Sequence, residues 1–233
     1  MIENYDSVEE INNREIDLKS IYAKTFLWMF LGLLATGIVS VFTYTQVLNK
    51  LEFLEEIVSA LPVIMIAEVV VVLIFSLLFR KLSPTVVTVL YFVYAVLNGI
   101  TLSSIFFAFD LGSIVTIFFV SSAVYAIFAL LGMYAKIDLS KIGTICLIGL
   151  LACVIISIVN LFLGVSSTFY YIIDYIVLLL FFGITAYDMQ KIKAYAMQGI
   201  LPEEKIHIYG AMQLYLDFIN IFLRILRLFG KRK

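Results

Sequence analysis

The feature that most constrains this chain is a succession of uninterrupted apolar runs of about twenty residues, separated by short polar segments. A helix needs about 20 apolar residues to cross a ~30 Å hydrocarbon layer. Period-two alternation is absent and the runs exceed the roughly nine to eleven residues of a barrel strand, so helices are the elements that would satisfy their own backbones in lipid. The expected fold is all-α, a polytopic bundle whose surroundings are the lipid bilayer. Composition agrees, since 63% of the 233 residues are apolar and 14% are charged, against about 45–50% and 25% in soluble domains. Six or seven spans leave no room for a soluble catalytic domain. Sixteen Lys and Arg against seventeen Asp and Glu offer nucleic acid no basic surface, and no such partner is expected.

Spans are read at 22–44, 57–79, 86–109, 111–135, 142–163 and 169–187, with a weaker seventh at 206–229. The stretch 164–168, Gly-Val-Ser-Ser-Thr, divides a run too long for one span. One transmembrane domain, 19–233, follows a polar lead-in, 1–18, in which Val8, Ile11, Ile16 and Leu18 would form a short surface helix. No signal-peptide cleavage site follows the first run. Basic residues in short loops favour the cytoplasmic side. Starting inside, the cytoplasmic segments would carry Arg14, Lys19 and Lys24, then Arg80 and Lys81, then Lys136 and Lys141, then Lys191, Lys193 and Lys205; the opposite loops carry Lys50 beside Glu52, Glu55 and Glu56. The expectation is a plasma or inner membrane protein with a cytoplasmic N-terminus. The tail Lys231-Arg232-Lys233 disagrees, because a seventh full span puts it outside. Either the last helix re-enters or the tail is an exception, and a full span is the preferred reading.

Enzyme signatures are missing: there is no GxSxG, HExxH, phosphate loop or paired CxxC. The chain is read as a non-enzyme without a resident cofactor. His207 is the sole histidine and is expected to be solvated or at a helix end. Cys146 and Cys153 lie two turns apart on one helix face, too far to bridge, and read as small packing residues. What remains are ionisable groups within or at the ends of spans, which are costly in lipid and therefore functional candidates: Glu68, Asp174, Asp188, Asp217 and Arg224, with Arg80 and Arg227 near ends. Glu68 falls near mid-bilayer, either as a protonated carboxyl bonded to a neighbouring helix or as a station on an ion or proton route. Asp174 is expected at the solvated rim.

Asp188 and Asp217 are more informative together. Between them Gly199 suits a helix C-cap and Pro202 the first turn of the next helix. In the resulting antiparallel hairpin the two carboxylates should lie at similar depth, and Gln213 and Asn220 extend a polar stripe around Asp217. Two carboxylates within a few Å cannot both ionise freely, so such a pair shares a proton and acts as a pH switch. Deprotonated, it offers the hard oxygen ligands that Ca²⁺ prefers. The alternative is separate neutralisation, Asp188 by Lys191 and Asp217 by Arg224 or a backbone group.

At these residues the chain resembles the Bax inhibitor-1 family, also called the transmembrane Bax inhibitor motif family, and especially its bacterial calcium-leak members. The resemblance rests on the order and spacing of YAKTFLWMFLGL (22–33), LPVIMIAE (61–68), FRKLSP (79–84), NGITLSSIF (98–106), DLSKIG (138–143), IVNLFLG (158–164), GITAYDMQKIK (183–193) and LYLDFINIFLRILRLFG (214–230). It implies seven helices with the last one central, a pH-sensing aspartate pair at Asp188 and Asp217, an arginine latch at Arg80 and the second-helix glutamate at Glu68. The function it implies is a pH-sensitive calcium leak, with calcium and protons as the ions handled. A second bacterial branch implies regulation of a membrane-bound AAA protease, and the same carboxylates would also serve a Ca²⁺/H⁺ exchanger. The chain departs from the family pattern in its acidic N-terminal extension and in a glycine-poor fourth span.

Overall fold

The computed structural model describes residues 18–163, 167–199 and 201–233. The expected lead-in, apart from Leu18, and the residues 164–166 of the expected break lie outside the described residues. Among the described residues seven helices are long and apolar enough to cross a membrane. They are α1 (Leu18–Asn49), α2 (Leu51–Leu78), α3 (Pro84–Leu102), α4 (Leu111–Tyr134), α5 (Ser140–Leu163), α6 (Ser167–Gln198) and α7 (Glu203–Phe229), and a helical turn, Ile105–Ala108, leads from α3 toward α4.

Local chemistry sets the ends. Ser83 caps α3, accepting from the Val86 N–H with Pro84 in the first turn. Asp110 caps α4 by accepting from the Ser113 N–H at 3.1 Å. Asp138 accepts from the Ser140 N–H at 2.9 Å at the start of α5, and its bonds to Ser140 hold this carboxyl below its ordinary range. Gly199, at φ 61°, stops α6 in the left-handed conformation. Pro202 is the N-cap of α7, just ahead of the first turn where it was expected.

α1 and α6 are each 32 residues long, about 48 Å of helix, so they overrun the hydrocarbon layer and extend beyond the apolar runs 22–44 and 169–187. The fourth span ends close to where hydropathy placed it, whereas α3 stops at Leu102 and reaches the expected end of the third span only through the turn Ile105–Ala108.

Burial ranks the helices. In its most apolar stretch α7 has 78% of its residues buried, against 6% for α2. α7 packs against α1, α3, α4 and α6, while α5 packs chiefly on α6 and α2 on α3. α2 also reaches the centre through Phe75 and Phe79, whose rings stack on Tyr209 of α7 at 6.3 and 4.4 Å. The central last helix is thus as expected.

The seventh helix runs the full length of the bundle. At its far end the Asp110 N–H donates to Lys231 O at 2.9 Å and the Lys233 N–H to Ala108 O at 3.2 Å, so the tail is laced to the loop between α3 and α4. The start of α7 lies at the opposite end, where Lys24 pairs with Glu203 at 2.9 Å. This end-to-end path is what a full span, the preferred reading of the sequence, requires. Cysteines placed singly at Lys136 and Arg232, in a background lacking Cys146 and Cys153, should be labelled from opposite faces of the membrane; labelling of both from one face would contradict a complete crossing.

Close approaches are made at a few glycines. Gly132 lies directly on the Ala186 backbone, where an added Cβ would collide with backbone atoms. The glycine-poor fourth helix thus packs tightly through one position, two residues from Asp188 in its contact with α6. Gly132→Val should cost about 1–3 kcal/mol or more by overpacking, read as earlier thermal unfolding in detergent; unchanged unfolding would show that α4 and α6 part freely. Cys146 and Cys153 are buried and unpaired. Cys146 fills the space over Gly183, the packing role read for it.

Candidate functional site

α6 and α7 form the antiparallel hairpin, and it brings Asp188 and Asp217 together in the core with exposures of 5% and 3%. Asp217 lies within electrostatic reach of Asp188. Register comes from how the helices slide rather than from equal counting, because the turn between Gln198 and Glu203 is not centred on the pair. Among the described residues neither aspartate forms an ion pair within 4.0 Å, and Asp217 Oδ2 has no hydrogen-bond partner.

The surrounding groups are specific. The Thr185 hydroxyl, one turn before Asp188, adjoins Asp217 while donating its proton to Phe181 O at 2.8 Å. Thr185 Oγ1 thus stands between the Phe181 carbonyl and the Asp217 carboxyl. Tyr125 of α4 closes the site from another side, within electrostatic reach of both aspartates. Lys191 is the neighbouring cation, yet its ammonium rests over the rings of Tyr187 and Tyr209 at 5.6 and 5.4 Å. Separate neutralisation of the aspartates, the alternative in the sequence, is therefore not the arrangement found.

Arg80 lies in the turn after α2, outside the carboxylate site. It donates to the Tyr195 hydroxyl at 3.4 Å and stands 5.6 Å from that ring's centre. Tyr195 packs edge-on against Tyr209 at 5.3 Å. Arg80 thus reaches the aspartates only through two tyrosine rings and Lys191. Its main chain has a second use, since Lys205 donates to Arg80 O at 3.0 Å and neutralises the carbonyl end of α2.

Glu68 is half-buried and accepts from the Thr101 hydroxyl at 2.6 Å, with Asn98 within hydrogen-bonding reach. Tyr215 donates to Asn98 Oδ1 at 3.1 Å, and the Thr36 hydroxyl lies 2.7 Å from the Tyr215 hydroxyl. A polar track therefore runs from Glu68 on α2 through α3 to Tyr215, two residues before Asp217.

At the opposite end Asp174 is buried, and a solvated rim position is corrected. Its carboxylate pairs with Arg224 and, at 3.3 Å, with Arg227. Arg224 spans the α6–α7 interface toward Asp174 instead of turning back along its own helix to Asp217. His207 is at a helix end but buried, 3.3 Å from Glu203, so only the solvated part of its expectation fails.

Sequence reading missed Thr185, Tyr125, Tyr209 and Tyr215. The available signal was weak: a threonine one helical turn before Asp188, and core tyrosines whose hydroxyls need partners when buried. For calcium, the two aspartates supply up to four carboxylate oxygens against the 6–8 that Ca²⁺ takes, and among the described residues no group of three or more His, Cys, Asp or Glu is assembled.

Residues 18–233 match the family described as Inhibitor of apoptosis-promoting Bax1. The inner membrane protein YbhL of Escherichia coli is 34% identical over 221 residues, covering 93% of each chain. An uncharacterized protein of Deinococcus radiodurans is 34% identical over 100% of both chains, and one of Borreliella burgdorferi 33% identical over 94% of this chain and 96% of its own. With seven membrane-crossing helices and a match along all of them, the chain is a multi-pass membrane protein that belongs to the Bax inhibitor-1 family.

Proposed function

We propose that the protein is a pH-regulated calcium leak of the inner or plasma membrane, gated by proton sharing between Asp188 and Asp217, with its N-terminus in the cytoplasm. The observation that carries this reading is two buried carboxylates on the α6–α7 hairpin, within electrostatic reach of one another and, among the described residues, without an ion pair. Held in a water-poor core, the pair is stable with one proton between the two groups and repulsive with none. Loss of the shared proton would push α6 and α7 apart at this level and expose carboxylate oxygens to a passing cation.

Glu68 and the track through Asn98 and Tyr215 extend a line of polar atoms away from the pair, and are read as part of the ion or proton route. Arg80 is read as a gating counter-ion acting at second hand through Tyr195, Tyr209 and Lys191. Replacing it with Ala should shift the pH midpoint of flux by a fraction of a unit with unfolding unchanged; a midpoint that stays in place would reduce Arg80 to an anchor. Purified protein in liposomes loaded with a calcium-sensitive dye tests the whole reading. Calcium entry that changes across near-neutral pH is expected. Absence of flux, or flux indifferent to pH, would overturn it in favour of a membrane regulatory role.

A further inference from the structure

A cavity of about 450 Å³ opens sideways between α1 and α4, some three times the ~150 Å³ that holds a benzene ring in a protein core. It extends along α4 from Phe118 to Met133, about 22 Å of helix, and reaches the end of the bundle nearest Lys24 and Lys136. Met189 and Phe218 form its floor, each the immediate chain neighbour of a core aspartate.

The chemistry of the walls selects the occupant. Only Ser122 and Tyr125 bring hydroxyls to the lining, and both are engaged: Ser122 donates to Phe118 O at 2.8 Å and Tyr125 to the Met29 thioether at 3.6 Å. A buried water needs two to four polar partners, and apolar cavities without them stay dry. The mouth is flanked by Phe30 and Leu130, at 58% and 50% exposure, on helices that cross the membrane. Around such a surface the medium is hydrocarbon. We infer that this cavity is a binding site for one acyl chain of a bilayer phospholipid, drawn in from the leaflet on the Lys24 and Lys136 side, with its end against Met189 and Phe218. This assignment is independent of the proposed calcium flux.

The test uses full-length protein in phosphatidylglycerol and phosphatidylcholine vesicles containing a phosphatidylcholine with a photoactivatable diazirine in its acyl chain. Labelled residues are identified by peptide mass spectrometry. The expected result is label concentrated on the cavity walls, at Leu33, Ser122 and Met133, several-fold above Phe119 and Ile145, which are each 67% exposed. Ala126 lies at the mouth and is itself exposed, so Ala126→Trp fills the opening with little disturbance. It should lower wall labelling about tenfold and leave Ile145 unchanged. Labelling that simply follows exposure would overturn the inference, as would wall labelling indifferent to Ala126→Trp. Labelling of the walls by a diazirine fatty acid but not by the phospholipid would overturn the stated source, and a second protein copy seated there would exclude label altogether. The comparison within the unmodified protein decides the matter even if the tryptophan variant does not fold.

Discussion

Asp188→Asn and Asp217→Asn should each abolish the near-neutral pH dependence of calcium flux while leaving the protein folded. Asparagine keeps the shape and hydrogen-bonding capacity of the carboxyl but has no proton to give up. The surviving aspartate remains buried but has no like-charged neighbour with which to share a proton, so the cycle of repulsion and relaxation between α6 and α7 disappears. One shared proton can drive at most roughly a tenfold change per pH unit, the equivalent of ~1.4 kcal/mol, and in the single variants that slope should fall to nearly zero. The double Asn variant should behave like either single one, because a coupled pair is disabled by the loss of one member. Wild-type pH profiles in both single variants would show that the pair is not the sensor.

Asp174→Ala should be the most destabilising single change at the far end of the bundle. Asp174 is buried beneath Arg224 and Arg227, and its removal strands Arg224, whose Nε already lacks a hydrogen-bond partner. Breaking a buried pair from one side costs about 3–5 kcal/mol, whereas replacing both partners by apolar residues of similar volume is close to neutral. The expected pattern is early thermal unfolding in detergent for Asp174→Ala and recovery in Asp174→Leu combined with Arg224→Met. Arg227 is more exposed and can turn its head toward the headgroups. Equal unfolding of wild type and Asp174→Ala would remove this ion pair from the list of structural elements.

The crossings were legible in the sequence because hydropathy is a local property and lipid enforces it along each helix. The helix ends were less so. Hydropathy marks where hydrocarbon stops, while a helix stops where its backbone is diverted. α6 therefore continues past the polar Asp188 and Lys191 to Gln198, and only Gly199 turns it. The Asp188 and Asp217 pairing was partly legible, since both flank one short turn, but helix rotation had to come from packing. Asp174 shows the limit: Arg224 had one carboxylate within reach on its own helix and another on α6, and nothing local chooses between them. The polar track from Glu68 to Tyr215 joins α1, α2, α3 and α7, and contacts of such sequence separation leave no mark on any single segment.

The central position of α7 has a consequence for how the protein is made. Helices reach the translocon in chain order, so the helix that fills the middle of this bundle is the last of the seven to arrive. It is also the least apolar of them, carrying Asp217, Arg224 and Arg227, and an Asp or Arg at a helix centre costs ~2.5–3.5 kcal/mol on insertion. α7 therefore gains a stable place in the membrane by entering a slot between α1, α3, α4 and α6 that those helices hold open for it. Until it enters, Asp188 lines an unfilled groove, and a nascent chain stalled after α6 would present that groove to the quality-control proteases of the membrane.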